Sequence, residues 1–169
     1  DQMRVSVCYS NANVKVAGNH TGVSVGPDGA THQALEDVAI MRVLPNLIVE
    51  VPCDAIEARK ITNSVGRMKG PAYFRLGRSK TPIITSETTP FEVGKAQIFR
   101  EGKDVAVIAS GPVIYNALMA AIDLEKEGIS VMVVNNHTIK PIDSATIISA
   151  AKTCGAVVTL EEHQVMAGC

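Results

Sequence analysis

The sequence predicts an α/β fold built from two doubly wound, mainly parallel-sheet units. Short apolar runs rich in β-branched residues are typical of parallel strands covered on both faces, and they occupy residues 47–51, 105–109, 131–134 and 156–160. Segments with apolar residues at helical spacing alternate with these runs. Such alternation of strands and helices is typical of an α/β design.

The stretch of residues 79–93 predicts a boundary between two domains. It contains two prolines and many hydroxyl side chains, and it shows no helical period. We therefore expect residues 1–90 to form one unit and residues 91–169 the other. Both units look incomplete, because Asp1 is not an initiator methionine and the second unit holds about three strand-like runs where a sheet usually has roughly four to six. We expect the chain to be part of a longer protein.

Several residues predict where helices begin and end. Asp54, followed three residues later by Glu57, resembles a capping box. Asp143 is suited to cap a helix that Gly155 would end. Pro112 is expected at the first position of the helix between them.

Composition and charge exclude several classes of partner. The chain is 46% hydrophobic and 20% charged with a net charge of −1, which is typical of a globular protein. It lacks a lysine and arginine cluster of the kind that binds nucleic acid. Its apolar runs are shorter than the roughly 18 residues that a membrane helix needs. We expect neither a nucleic-acid nor a membrane partner.

The cysteines Cys8, Cys53, Cys154 and Cys169 are scattered, and none belongs to a C-x-x-C pair. This pattern favours neither a zinc site nor a redox motif. Reduced, buried cysteines are typical of intracellular proteins, so we expect a cytoplasmic location.

The most informative segment is the polar, glycine-rich loop of residues 20–33, which follows a predicted strand at residues 14–17. Loops at the carboxyl ends of parallel strands form the ligand crevice of α/β sheets. We expect Thr31 to cap the next helix, so that the helix dipole lowers the pKa of His32 and a neutral imidazole can move protons. Against this, a lone loop histidine is more often a surface residue. Asp28 and His32 lack nearby further ligands, so we expect no metal site.

The run Gly-Pro-Asp-Gly-Ala-Thr-His-Gln at residues 26–33 resembles the signature G-x-D-G-[PA]-[TS]-H-Q of the transketolase family. The resemblance covers nearly the whole chain. It continues through residues 34–46, 51–57, 70–78, 94–96, 138–143 and 159–163. It is closest to the separately encoded C-terminal half of split transketolases, with a single long chain as the alternative.

This resemblance implies the latter part of a pyrimidine-binding domain followed by the first part of a C-terminal α/β domain. It implies thiamine diphosphate and Mg²⁺ as cofactors, bound mainly by residues outside this chain. The family's glutamate that activates the aminopyrimidine would lie upstream of Asp1. We therefore expect the chain to be inactive alone. Its expected partners are sugar phosphates and a diphosphate-binding domain or subunit, in a homodimer or heterotetramer.

The resemblance also assigns roles to individual side chains. His20 and Arg78 would hold the substrate phosphate, and Asp28 would bind a substrate hydroxyl. His32 would be catalytic, beside the reacting carbons, as a two-carbon ketol unit passes between sugars of the pentose phosphate pathway. Ser24 could contribute, without a defined role.

His137 and His163 follow predicted strands of the second unit, and we interpret both as structural or interface residues.

Three related hypotheses are alternatives to transketolase. One is 1-deoxyxylulose 5-phosphate synthase, whose pattern has arginine where this chain has His20. Another is the beta subunit of 2-oxo-acid dehydrogenases, whose loop lacks the Thr-His-Gln run. The third is a catalytically inactive assembly module of the same fold.

Overall fold

The computed structural model describes residues 1–168. Within this part of the chain, the helices are too short or too polar to cross a membrane. The strands are β1 Lys15–Asn19, β2 Ile48–Glu50, β3 Ala72–Leu76, β4 Gln97–Arg100, β5 Val105–Ala109, β6 Val131–Asn135, β7 Thr138–Lys140 and β8 Val157–Leu160. The α-helices are α1 Asp37–Arg42, α2 Ala55–Arg67, α3 Ile114–Lys126 and α4 Ser144–Cys154. A π-helix spans Met3–Tyr9 and a 3₁₀ segment spans Val23–Thr31.

The strands form two four-stranded sheets, in the orders β1-β3-β2-β7 and β4-β6-β5-β8. Three strands of each sheet run parallel, and each sheet carries one antiparallel strand at an edge, β7 on β2 and β4 on β6. The predicted fold class, two mainly parallel α/β units, is confirmed. Crossover helices connect the parallel strands, as that topology requires.

The second sheet shows why its strands read as continuous apolar runs. Val131 and Val133 of β6 face one side and pack with α3, whereas Met132 and Val134 face the other side. The second side packs against Ala150 and its neighbours on α4. Alternate side chains of a strand point to opposite faces, so a sheet covered on both faces needs apolar residues at every position.

Strand β7 belongs to the second half of the chain but pairs in the first sheet. Thr138 and Lys140 lie opposite Glu50 and Val49 of β2, and Val51 N donates to His137 O at 2.8 Å. Residues on the two sides of the linker at 79–93 are therefore joined by hydrogen bonds within one sheet. The expected division at residues 90 and 91 assigns β7 to the second unit, whereas its hydrogen bonds complete the first sheet.

The helix ends follow the predicted capping in most cases. Asp54 caps α2 by accepting from Glu57 N at 2.9 Å, and Asp143 caps α4 by accepting from Thr146 N at 3.2 Å. Gly155 ends α4 with a φ of 71°, a left-handed conformation that favours glycine. The prediction for Pro112 is wrong, because α3 begins at Ile114.

Cys8, Cys53 and Cys154 are unpaired and buried, as predicted for reduced cysteines. Cys169 lies outside the described residues.

Candidate functional site

A cavity of about 520 Å³ lies at the carboxyl edge of the first sheet. Strands β1, β3 and β2 run parallel, so their carboxyl ends meet at this edge. The cavity is lined by residues that end or follow these strands and by one residue of the second unit: Asn19, Cys53, Asp54, Gly77, Arg78 and Pro112. This is the position at which α/β sheets bind ligands.

The loop that follows β1 folds as 3₁₀ turns over Val23–Thr31, broken at Gly26 and Gly29. These glycines have φ values of 78° and 69°, which a side chain would strain. The expectation that Thr31 caps an α-helix with His32 at its entrance is wrong. Helix α1 begins only at Asp37 and has six residues. His32 therefore lies more than one turn before the helix, too far for the helix dipole to act on it.

Arg78 and Asp28 form an ion pair that joins the loop to the end of β3. Arg78 Nη1 also donates to Val25 O at 3.3 Å. The two side chains are 42% and 34% exposed, so a ligand in water can reach both. An arginine held by a carboxylate and a carbonyl is fixed in direction, which favours recognition of an anion or of a polyhydroxyl compound.

His32 is connected to this pair through Thr31. Thr31 Oγ1 donates to Asp28 O at 3.3 Å and lies 2.9 Å from His32 Nδ1. His32 is exposed, so its ring is free to meet a ligand. The structure thus places Asp28, His32 and Arg78 along one connected path.

His20 follows directly on Asn19, a wall residue of the cavity, at the carboxyl end of β1. It is exposed and has a left-handed φ of 58°. Such a conformation is uncommon for residues other than glycine, although asparagine, aspartate and histidine adopt it more often than the rest. The convergence of His20 with Arg78 on one ligand stays a prediction.

Glu162 is a contact of this loop to which sequence reasoning gave no role. It follows β8 of the second sheet, and its Oε2 accepts a hydrogen bond from Ser24 Oγ at 3.0 Å. Ser24 O in turn accepts from Ser79 Oγ at 2.8 Å. The signal was present in the sequence, because residues 159–163 belong to the family pattern.

Arg75 lies beneath the loop and is 5% exposed. Its Nη2 donates to Ala34 O at 2.9 Å and to Glu162 O at 2.7 Å, and its Nε lies 3.0 Å from Asp37 Oδ2. Tyr73 donates to the same carboxylate oxygen at 2.6 Å. Burial and this carboxylate raise the pKa of Tyr73, so the phenol stays a donor.

A second polar group, which we call the buried junction, lies where β7 meets the first sheet. It comprises Glu50, Glu57, Asn135, His137 and Thr138, all 2% exposed or less. Glu57 accepts from Cys53 N and from Asn135 Nδ2, both at 2.7 Å, and Thr138 Oγ1 donates to Glu50 Oε1 at 3.2 Å. Within residues 1–168, Glu50 Oε2, Asn135 Oδ1 and His137 Nε2 lack a hydrogen-bond partner.

Burial controls the ionisation of the buried junction. Desolvation raises the pKa of Glu50 to about 7 and lowers the pKa of His137 to about 4. The pKa of Glu57 and that of the Cys53 thiol are raised for the same reason. His137 packs against Phe91, with ring centroids 4.7 Å apart. Burial in the junction therefore disfavours the charged forms of Glu50, Glu57 and His137.

His163 contacts helix α1, where its Nε2 accepts from Ala39 N at 3.3 Å.

Metal-ligand chemistry does not fit the described residues. Among residues 1–168 there is no group of three or more His, Cys, Asp or Glu side chains that could hold a metal ion. The Arg78–Asp28 pair also places a cation where a metal would be repelled.

The fold and the crevice together define an α/β protein with a polar cavity at the carboxyl edge of a parallel sheet. Two family models then place it more narrowly. Residues 1–83 match the transketolase pyrimidine-binding domain, and residues 94–169 match the transketolase C-terminal domain. The chain belongs to the transketolase family and is similar to the C-terminal sections or subunits of its members.

Two relatives and one solved structure illustrate this similarity. The chain is 40% identical over 168 residues to a 6-deoxy-6-sulfo-D-fructose transketolase subunit of Clostridium sp. (strain MSTE9), covering 99% of the chain and 52% of that protein. It is 36% identical over 169 residues to an apulose-4-phosphate transketolase subunit of Phocaeicola vulgatus, covering 99% and 54%. The structure of a split gene transketolase, an inactive beta4 tetramer, superposes with a TM-score of 0.91 at 46% identity, covering 99% of this chain and 54% of that one. This chain thus spans about half the length of these proteins.

Proposed function

We propose that this chain is the substrate-binding part of a thiamine-diphosphate-dependent transketolase. Such an enzyme moves a two-carbon ketol unit from a ketose phosphate to an aldose phosphate. The observation that supports the proposal most directly is the Arg78–Asp28 pair beside a cavity of about 520 Å³ at the carboxyl edge of the first sheet. This pair offers a cation for the anionic end of a sugar and a carboxylate for its hydroxyls.

The roles that we propose are those that the family resemblance implies, and the chemistry of each side chain suits them. Arg78 and His20 bind the anionic end of the substrate, since a guanidinium binds phosphate through two parallel hydrogen bonds. Asp28 accepts hydrogen bonds from substrate hydroxyls and selects among sugars by their stereochemistry. His32 lies beside the reacting carbons and moves protons there.

The anionic end is the feature that the named relatives' substrates share. One relative is named for a sulfonated sugar and the other for a phosphorylated one. Arg78 is suited to either, because both groups present several oxygens to a planar donor. We propose sugar phosphates for this chain.

Thiamine diphosphate, when bound, supplies the electron sink for cleavage of the carbon–carbon bond. We propose that residues outside this chain hold it and its Mg²⁺, in a diphosphate-binding domain or subunit. The assembly we expect is a homodimer or a heterotetramer. The unpaired, buried thiols of Cys8, Cys53 and Cys154 are consistent with a cytoplasmic enzyme.

The test is turnover of xylulose 5-phosphate with an aldose phosphate acceptor. We expect activity when the chain is assembled with its upstream region and a diphosphate-binding domain, and none from residues 1–169 alone. Turnover by the purified 169-residue chain would contradict the division of roles. An assembled but inactive complex would favour the second candidate, a non-catalytic assembly module. That candidate is supported by the related tetramer, which is described as inactive.

A further inference from the structure

The segment after β8 lies on the candidate substrate loop, although it belongs to the other sheet. Ser24 Oγ donates to Glu162 Oε2 at 3.0 Å, and Gln164 N donates to Leu35 O at 3.0 Å. The second unit therefore contacts both the loop and a residue just after it.

Gly22 shows how closely Glu162 packs against the start of this loop. A Cβ atom at Gly22 would lie 2.3 Å from Glu162 Oε2 and 2.9 Å from Glu162 Cβ. Gly22 also has a φ of 82°, and its N donates to Ala34 O at 3.0 Å. Both the lack of space and the backbone conformation require glycine at position 22. The Glu162 side chain therefore packs against backbone that has no room for another side chain.

A continuous path of contacts leads from Glu162 to the arginine that we assign to the substrate anion. Ser24 is held on one side by Glu162 and on the other by Ser79, whose Oγ donates to Ser24 O at 2.8 Å. The next carbonyl, Val25 O, accepts from Arg78 Nη1 at 3.3 Å. Displacement of Ser24 would thus move two groups that hold residues 78 and 79.

The carboxylate of Glu162 is not needed to hold its own backbone. Glu162 O already accepts from the buried Arg75 Nη2 at 2.7 Å. The side chain is half-buried and directed at Ser24, which lies 138 residues earlier in the chain. A carboxylate that serves only the loop is better explained by a role in the loop's geometry than by support of β8.

We propose that Glu162 is a positioning residue for the candidate substrate site. It fixes Ser24, and through Ser24 it fixes the direction of Arg78 toward the anionic end of the sugar. This inference rests on the proposed function for its kinetic consequence, but the mechanical link between Glu162 and the loop stands without it.

The kinetic test uses the complete, assembled enzyme and five proteins: wild type, Glu162→Ala, Glu162→Gln, Ser24→Ala and the double variant Ser24→Ala/Glu162→Ala. Glu162→Ala should raise KM for xylulose 5-phosphate about tenfold with kcat little changed, which corresponds to about 1.4 kcal/mol. Ser24→Ala should do the same, and the double variant should be no worse than either single one, because one hydrogen bond is lost in all three. Glu162→Gln should stay within about twofold of wild type, since a carboxamide oxygen still accepts from a serine hydroxyl.

Glu125→Ala is the matched control, because Glu125 is an exposed glutamate in a surface ion pair with Arg100. Additive effects of Ser24→Ala and Glu162→Ala, or a KM unchanged in Ser24→Ala, would overturn the proposal. If Glu162→Ala does not fold, Ser24→Ala alone decides by its KM.

Amide hydrogen exchange separates this inference from the proposed function. Glu162→Ala should speed exchange over residues 23–31, whereas Glu162→Gln and Glu125→Ala should leave it unchanged. This outcome supports the link even if the assembled wild type shows no transketolase turnover. Equal exchange in all variants would overturn it.

Discussion

The exposed crevice and the buried junction handle ionisable side chains in opposite ways. In the crevice, Arg78 and Asp28 are paired, directed and still accessible to water. In the junction, Glu50 and His137 are inaccessible, and each keeps a ring or carboxyl atom without a partner within residues 1–168. A charged side chain that must release its partner to bind a ligand has to be accessible to solvent. Burial, by contrast, disfavours the charged form of the groups that join the two units. The crevice should therefore control kinetics and the junction should control stability.

His32→Ala should have the largest effect, and it tests the catalytic side of this division. We expect kcat in the assembled enzyme to fall by about a hundredfold or more, because proton transfer by a positioned side chain contributes about 10²–10⁴-fold. Thermal stability should not change, since His32 is exposed. Steady-state kinetics with thermal unfolding on the same samples checks both. A normal kcat would remove His32 from the catalytic role.

Arg78→Ala should be next in size and should act on binding. KM for phosphorylated donors should rise roughly ten- to a hundredfold with a smaller change in kcat, since a charge-assisted hydrogen bond contributes about 1.5–3 kcal/mol. The anionic end is far from the reacting carbons, so its binding is nearly uniform between ground and transition states. Neutral donors should be little affected. Arg59→Ala, which removes another exposed arginine of an ion pair, is the control. Equal loss on charged and neutral donors would show that Arg78 is structural.

Glu50→Gln should change the pH dependence of stability and leave the kinetics alone. The folded pKa of about 7 exceeds the ordinary 4.5, so folding takes up a proton between these values and wild-type stability falls as pH rises from about 4.5 to about 7. Glutamine cannot ionise, so the variant should lose that slope, a difference on the order of 3 kcal/mol above pH 7. Glu57, whose pKa is also raised, should retain part of the trend.

Chemical denaturation from pH 4.5 to 8 measures this effect. Glu125→Gln, at an exposed position, should keep the wild-type slope. Parallel pH profiles for Glu50→Gln and wild type would mean that Glu50 stays ionised in the folded chain.

His137→Phe should change the pH dependence of stability with the opposite sign. The folded pKa of about 4 lies below the ordinary 6.5, so the unfolded chain takes up a proton first and stability falls as pH drops from about 6.5 to about 4. Phenylalanine removes that loss. The substitution keeps the aromatic packing on Phe91 but removes the contact of His137 Nδ1 with Thr138 Oγ1 at 2.9 Å, so the test depends on the pH slope and not on the absolute stability. A retained acid slope in the variant would assign the loss to other groups.

The fold class could be predicted because strands such as β5 and β6 are almost continuously apolar. β3, β4 and β7 were not predicted, and each for a physical reason. β3 carries the buried Arg75, whose charge is compensated by Asp37 and two carbonyls far away in sequence. β4 and β7 are edge strands whose pairing depends on tertiary contact.

The candidate site was predictable only in part. The signature at residues 26–33 singled out Asp28 and His32, but local rules placed His32 at a helix start that does not exist. Glycines at 26 and 29 and the clamp by Arg78 override the helical pattern there. Glu162 lies within the family pattern at residues 159–163, but its contact with Ser24, 138 residues away in the chain, could not be predicted from the sequence.

The pairing of β7 with β2 has a consequence for synthesis on the ribosome. The first sheet cannot close until Lys140 has emerged, because β7 is the strand that covers the free edge of β2. Until then Val49 and Glu50 present unpaired backbone groups to other nascent chains, a template for misassembly. The first sheet is thus completed only after β4, β5 and β6 of the second sheet have been made, and a chain stalled before residue 138 should require a chaperone that shields strand edges.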